Sequence, residues 1–168
     1  MKHRVSIIYS WFVKLATCFF PNVPIFMRFR GWLYSLMMNK CGKDFQVASS
    51  VIINSLSGLE VGNNVYIAHN TVVIGTKVVI EDEVLIGPNC VISGGNHTFS
   101  GTSFRFGESK VLEVVIKRGS WIAGNCSVLG GAVLPEQSIL AAGSVLNKHF
   151  EKRKTLYAGA PAREIKGL

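Results

Sequence analysis

The sequence predicts an all-β solenoid, a coil of very short strands closed at its N-terminal end by a helical cap. Three observations predict it. Residues 116–145 divide into five six-residue blocks, IKRGSW, IAGNCS, VLGGAV, LPEQSI and LAAGSV, each opening on an aliphatic residue: Ile116, Ile122, Val128, Leu134 and Leu140. The fifth place of every block is small: Ser120, Cys126, Ala132, Ser138 and Ser144. A period of six suits neither a helix, which repeats its apolar residues every three or four positions, nor an alternating sandwich strand. It suits a triangular prism with three blocks per turn, in which the aliphatic residue points inward and the small one fits near a corner.

The first 45 residues do not follow this period and are read as the cap. VSIIYSWFVKLATCFF is apolar but interrupted by Lys14, and it is too short to span a bilayer. Its basic start lacks a small-x-small cleavage site, so it does not read as a signal peptide. Pro21 and Pro24 break it, and MRFRGWLYSLMMNK forms a second short helix. Val5, Ile7, Ile8, Trp11, Phe12 and Leu15 can share one helical face, with Lys2, Arg4, Lys14, Arg28 and Arg30 at or near its margins. That pattern suits both a cover for the open end of the coil and a pad resting on anionic lipid.

From residue 46 to residue 168 the chain is read as the coil. The repeat starts weakly at Phe45 and Val47, firms at Val61, and has starters Val61, Ile67, Ile74, Ile80, Ile86 and Ile92, with a one-residue slip in VVIGTKV. The period then lapses until Ile116. Residues 93–115 are therefore a loop thrown out from one corner, and loops on rigid scaffolds commonly carry chemistry.

That loop holds His97, directly after GGN, with Phe99, Phe104 and Phe106 available to shape a pocket. An imidazole titrating near neutrality can take a proton from an attacking hydroxyl. His69, mid-block in IAHNTV, is expected to point outward at a corner and to line a site. Cys90 and Cys126 fall on inward small positions and read as core thiols in a reducing compartment, not as nucleophiles. A trimeric zinc centre would need three histidines, and only His69 and His97 lie in the coil region, so no metal is expected. The net charge of +8 points to an anionic partner. Nucleic acid is not expected, because basic and aromatic residues are not interleaved as in a binding sheet and no recognition helix is apparent.

The hexapeptide blocks, the GGNHTF loop, the WIAG segment, the LAAGSVLNK run and the closing AGAPAREIKG together resemble the hexapeptide-repeat acyltransferases over roughly residues 45–168. They look most like the branch holding galactoside and maltose O-acetyltransferases, streptogramin acetyltransferases and acetyltransferases of bacterial surface polysaccharides. The resemblance implies a left-handed parallel β-helix and a homotrimer with sites between subunits. It implies acetyl-CoA as donor and His97 as general base. It sets Trp121 and Gly124 on the wall where the thioester lies, Ala142 beside the pantetheine, and Lys148 and Arg163 at the nucleotide phosphates, with Lys166 a further candidate. Asn70 matches the acceptor-site asparagine. No carboxylate adjoins His97 in sequence, which leaves a backbone carbonyl, Asp82 or Glu83 to orient its ring.

The expected function is acetyl transfer from acetyl-CoA to a sugar hydroxyl, in surface polysaccharide or its precursor. The alternatives are a streptogramin-type acetyltransferase, a serine acetyltransferase with His69 as base, and a scaffold without catalysis. The expected setting is cytoplasmic, with peripheral contact at the inner face of the membrane.

Overall fold

The computed structural model describes residues 2–74 and 77–168. Two helices, α1 (Lys2–Thr17) and α2 (Pro24–Ser35), precede a coil built rung by rung. The first rung is β1 (Lys40–Cys41), β2 (Gln46–Val47) and β3 (Ile52–Ile53), so strand pairing begins inside the stretch read as cap. The second is β4 (Leu59–Val61), β5 (Tyr66–Ile67) and β6 (Val72–Ile74), and the third β7 (Val78–Ile80), β8 (Leu85–Ile86) and β9 (Val91–Ser93). A hairpin of β10 (Gly95–His97) and β11 (Ser109–Val111) interrupts the coil. It resumes with β12 (Val114–Ile116), β13 (Trp121–Ile122) and β14 (Ser127–Leu129), then β15 (Val133–Leu134), β16 (Ile139–Leu140) and β17 (Val145–Leu146). β18 (Thr155–Ala158) and β19 (Arg163–Gly167) close it.

Equivalent strands stack into three flat faces. Face 1 orders β1-β4-β7-β12-β15, face 2 β2-β5-β8-β13-β16-β18-β19, and face 3 β3-β6-β9-β14-β17. All pairs are parallel except the hairpin and β18–β19. The aliphatic starters and small fifth residues of residues 116–145 all point into the prism and are buried. One starter differs from expectation. Val73 is inward (1% exposed) and Ile74 outward (39%). The two residues pair with Ile92 and Ser93, so the extra residue of this turn falls between Val73 and Ile80. Gly75 and Thr76 lie outside the described residues.

Corners require a backbone that L side chains resist. At the corner between faces 2 and 3 the left-handed position is held in successive rungs by Asn70, Asn89, Asn125 and Gly143, with φ of 57°, 58°, 61° and 72°. Asparagine and glycine tolerate that region best.

The helices sit on the first rung. Ser10 donates its hydroxyl to Ile53 O, the His3 ring meets Ser55 Oγ at 3.0 Å, and Asn22 bonds Ser49. Gly31 lets α2 press against the backbone at Phe45, where a Cβ would overlap the carbonyl. Arg30, expected at the margin of an exposed face, is instead 1% exposed. Its guanidinium donates to Thr17 Oγ1, Thr17 O, Phe20 O and Val47 O, closing the last turn of α1 against the coil. The side chain of Lys2 lies outside the described residues.

Candidate functional site

The hairpin leaves the coil where face 3 meets face 1. Gly94 marks the exit, and a Cβ there would come 2.8 Å from Leu112 O. Without that side chain the two legs close, and Leu112 N–H donates to Gly94 O at 2.8 Å. Gly95, Asn96 and His97 then pair with Val111, Lys110 and Ser109. Thr98 ties the legs again, donating both N–H and hydroxyl to Glu108 O. His97 is thus carried on a braced arm, exposed, at a cleft of about 550 Å³ that it shares with Phe104, Arg105 and Phe106. Phe99 backs this cleft through its contact with Phe104, ring centroids 5.2 Å apart. Among the described residues the His97 ring has no hydrogen-bond partner within the chain. Of the three groups open for orienting the ring, Asp82 and Glu83 do not reach it within the chain. Both lie at the corner between faces 1 and 2, where Asp82 accepts from Asn63 N–H and Glu83 pairs with Arg118 at 3.0 Å.

A second set of candidates gathers at the corner between faces 2 and 3. His69, Pro88, Gly124 and Ala142 stand in successive turns of that corner. Asn89 N–H donates to His69 O at 2.9 Å, and Gly143 N–H donates to Gly124 O at 3.0 Å. The amides flanking Gly124 are spent, Ala123 N–H on Leu140 O and Asn125 N–H on Pro88 O. The Gly124 and Ala142 N–H groups have no partner among the described residues. Arg163 is exposed and opposite Ala158 at the same end of face 2. Trp121 projects from face 2 between Leu85 and Ile139 and is 44% exposed.

The chain does not unite these groups. Lys148 lies past β17, on the edge of face 3 from which the His97 hairpin leaves, its Nζ 4.9 Å from the Phe150 ring. His69, Gly124, Ala142 and Arg163 hold the opposite edge. Asn70 follows His69 at that same corner, one end of which forms a shallow cleft against α1 with Lys14, Cys18, Ser49, Ser50 and Ile52. Cys90 and Cys126 are buried in the prism, their Sγ atoms 3.1 Å from Ala123 O and Ala141 O. Contact with the Cys126 thiol, together with burial, pushes the Cys90 thiol pKa up. Arg105 was missed by sequence reasoning. The alternation Phe104-Arg105-Phe106 on one short loop is the signal that could have found it.

The chain is 30% identical over 133 residues to the Saccharomyces cerevisiae protein YJL218W, named as an acetyltransferase, covering 79% of this chain and 67% of that one. The chain belongs to the hexapeptide-repeat acetyltransferases. It is also 28% identical over 133 residues to the galactoside O-acetyltransferase of Escherichia coli K12, covering 79% of this chain and 65% of that one. It thus spans about two thirds of the length of these curated relatives. The crystal structure of a hexapeptide-repeat acetyltransferase, VCA0836 of Vibrio cholerae, complexed with acetyl coenzyme A, superposes with a TM-score of 0.83 at 24% identity, over 98% of this chain and 88% of that one. The likeness extends the shared fold, the left-handed parallel β-helix, across the N-terminal helices. No family model matches the chain.

Proposed function

We propose that this acetyltransferase moves an acetyl group from acetyl-CoA to a sugar hydroxyl, with His97 as the general base. The observation that carries the reading is the His97 imidazole, exposed at an aromatic cleft on an arm braced by Gly94 and Thr98. Bound acetyl-CoA supplies an activated thioester carbonyl. The acceptor oxygen attacks that carbon as its proton passes to His97 Nε2 or Nδ1. The C–S bond then breaks, and the thiolate leaves with the proton returned from the imidazolium. The unspent Gly124 N–H is the donor for the oxyanion. No covalent enzyme intermediate is needed, and both coil thiols near this corner are buried.

The opposite corner suits a slender polyanion. Gly124 and Ala142 add little bulk, and a Cβ at Gly143 would meet nothing within 4 Å. Arg163 and Lys166, both exposed on β19, provide cations. Lys148 lies on the other edge of face 3, beside the His97 arm. A homotrimer follows as part of the proposal: with His97 and Gly124 on opposite edges of face 3, a neighbouring copy brings one chain's base to the other's corner. The acceptor class, a sugar in surface polysaccharide or its precursor, draws support from the galactoside O-acetyltransferase relative. The reading implies a cytoplasmic setting, where acetyl-CoA is available.

The test is thiol release from acetyl-CoA across a panel of sugar acceptors. Release should depend on a hydroxyl acceptor and fall about 10²–10⁴-fold in His97→Asn, with acetyl-CoA affinity nearly unchanged. Near-normal turnover in His97→Asn, with loss in His69→Ala, would transfer the base to His69 and overturn the assignment.

A further inference from the structure

The two N-terminal helices are built inside out. α1 turns Ser6, Ser10, Val13 and Thr17 toward the coil, all buried. It turns Val5, Ile8, Trp11, Phe12 and Leu15 away, each 48–59% exposed. At about 100° per residue the outward five share one face of roughly a third of the helix, opposite the buried four. α2 repeats the arrangement. Met27, Arg30, Gly31 and Tyr34 are buried, while Ile25, Phe29 and Trp32, with Leu36 just past its end, are 42–70% exposed. Phe19, between the helices, is 89% exposed. Phe29 stacks on Trp32 at 5.9 Å and meets Phe20 at 6.4 Å, so the outward rings run on from one to the next.

A helix that only covered a coil would bury its large apolar residues and expose its small polar ones. Here the polar side chains face inward and are satisfied by hydrogen bonds, leaving the apolar faces free for another medium. Charge says which. Residues 1–43 contain seven of the eighteen Lys and Arg residues and none of the ten Asp and Glu residues. The remainder, with eleven bases against ten acids, is almost neutral. Nearly all of the net charge of +8 is therefore concentrated on the segment with the exposed aromatic faces. The neighbouring acid, Asp44, is already paired with Arg28, so apposing two copies of this surface would bring the remaining cations against cations. A span is also ruled out for these helices: α1 has 16 residues, and none among the described residues is long and apolar enough to cross a membrane.

We infer that α1 and α2 together dock the protein on an anionic lipid bilayer, flat on its surface. Trp11, Phe12, Phe29 and Trp32 enter the boundary between headgroups and acyl chains, and Arg4, Lys14, Lys40 and Lys43 meet the lipid phosphates. This surface is separate from the His97 cleft, so the inference stands independently of the acetyl-transfer reading.

The experiment is flotation of the full chain with vesicles of phosphatidylcholine alone or mixed with phosphatidylglycerol. Wild type should float with the anionic vesicles at low salt, be released by high salt, and leave neutral vesicles unbound. Free inorganic phosphate at millimolar concentration should not compete, which separates a membrane from a phosphate site. Each of Arg4→Gln and Lys14→Gln should lower partitioning about fivefold. Trp11→Ser with Phe12→Ser should abolish it with every cation in place. These substitutions, at exposed or half-buried positions, should leave the far-ultraviolet spectrum and thiol release on a soluble acceptor unchanged, so loss of docking is distinguishable from loss of catalysis. Failure of wild type to float at low salt would overturn the inference. So would equal binding to neutral vesicles, or wild-type binding by the Trp11/Phe12 variant. A change of solution mass in that variant, with no vesicle binding by wild type, would assign the faces to a second copy instead.

Discussion

Among the described residues Arg30 has no acidic partner, yet it is buried, so its replacement should be among the most damaging single changes to the cap. Its guanidinium satisfies four acceptors: Thr17 Oγ1 and Thr17 O at 3.0 Å, Phe20 O at 3.4 Å, and Val47 O. Burial lowers its pKa from the ordinary value, but an arginine so placed remains charged at neutral pH. Two of the acceptors are carbonyls at the C-terminal end of α1, where a cation also complements the helix dipole. In Arg30→Met the apolar stem is kept and the fork removed, leaving these carbonyls without their donor. Leaving a buried acceptor unsatisfied costs about 1–3 kcal/mol. Three backbone carbonyls, partly relieved by water entering at the α1–α2 turn, put the loss at about 3–5 kcal/mol. For a chain of this size that is a fall in Tm of roughly 6–20 °C. Arg30→Lys should recover little, because an ammonium cannot reach both Thr17 and Val47. Thermal unfolding followed by circular dichroism measures it. A loss below about 1 kcal/mol in Arg30→Met would refute the reasoning and make Arg30 a surface cation.

Three further outcomes are expected. Val73→Ala should cost about 1.5–3 kcal/mol and Ile74→Ala much less, since Val73 is inward and Ile74 outward; the reverse order in urea denaturation would return Ile74 to the core. Burial raises the Tyr34 phenol to about 12, opposed by nearby Arg30. A folded value above the unfolded value of about 10 means that this stability is complete below pH 10 and is lost as pH rises through about 12, at most about 3 kcal/mol. Tyr34→Phe should therefore flatten the alkaline limb of Tm against pH, and an unchanged limb would contradict it. Light scattering should report a trimer, and mixing inactive His97→Asn chains with inactive Gly124→Leu chains should restore part of the activity by pairing an intact base with an intact corner. An active monomer would remove the shared site.

Residues 116–145 declare the coil without help from tertiary structure, because every rung imposes the same demand on its own six residues. An aliphatic side chain must fill the axis and a small one must fit the corner, so Ile122, Val128 and Leu134 are legible one by one. His97 is legible for a related reason: the period stops, and what stops it must leave the coil. Where the demand is shared between distant residues, the pattern in the chain is ambiguous. Val73 and Ile74 are both aliphatic, and only pairing with Ile92 and Ser93 decides which enters the prism. Arg28 and Arg30 look alike in MRFRGW, but the first pairs with Asp44 at the surface and the second closes α1 from within. The amphipathic pattern of α1 is visible in the sequence, but which side meets the protein is not. Periodicity defines a face and leaves its neighbour unspecified; the first rung accepts Ser10 at Ile53 O, and the bulky face is left outside. The division of the candidate site between two edges of face 3 is likewise tertiary, since it depends on where each turn of the coil brings residues separated by many positions in the chain.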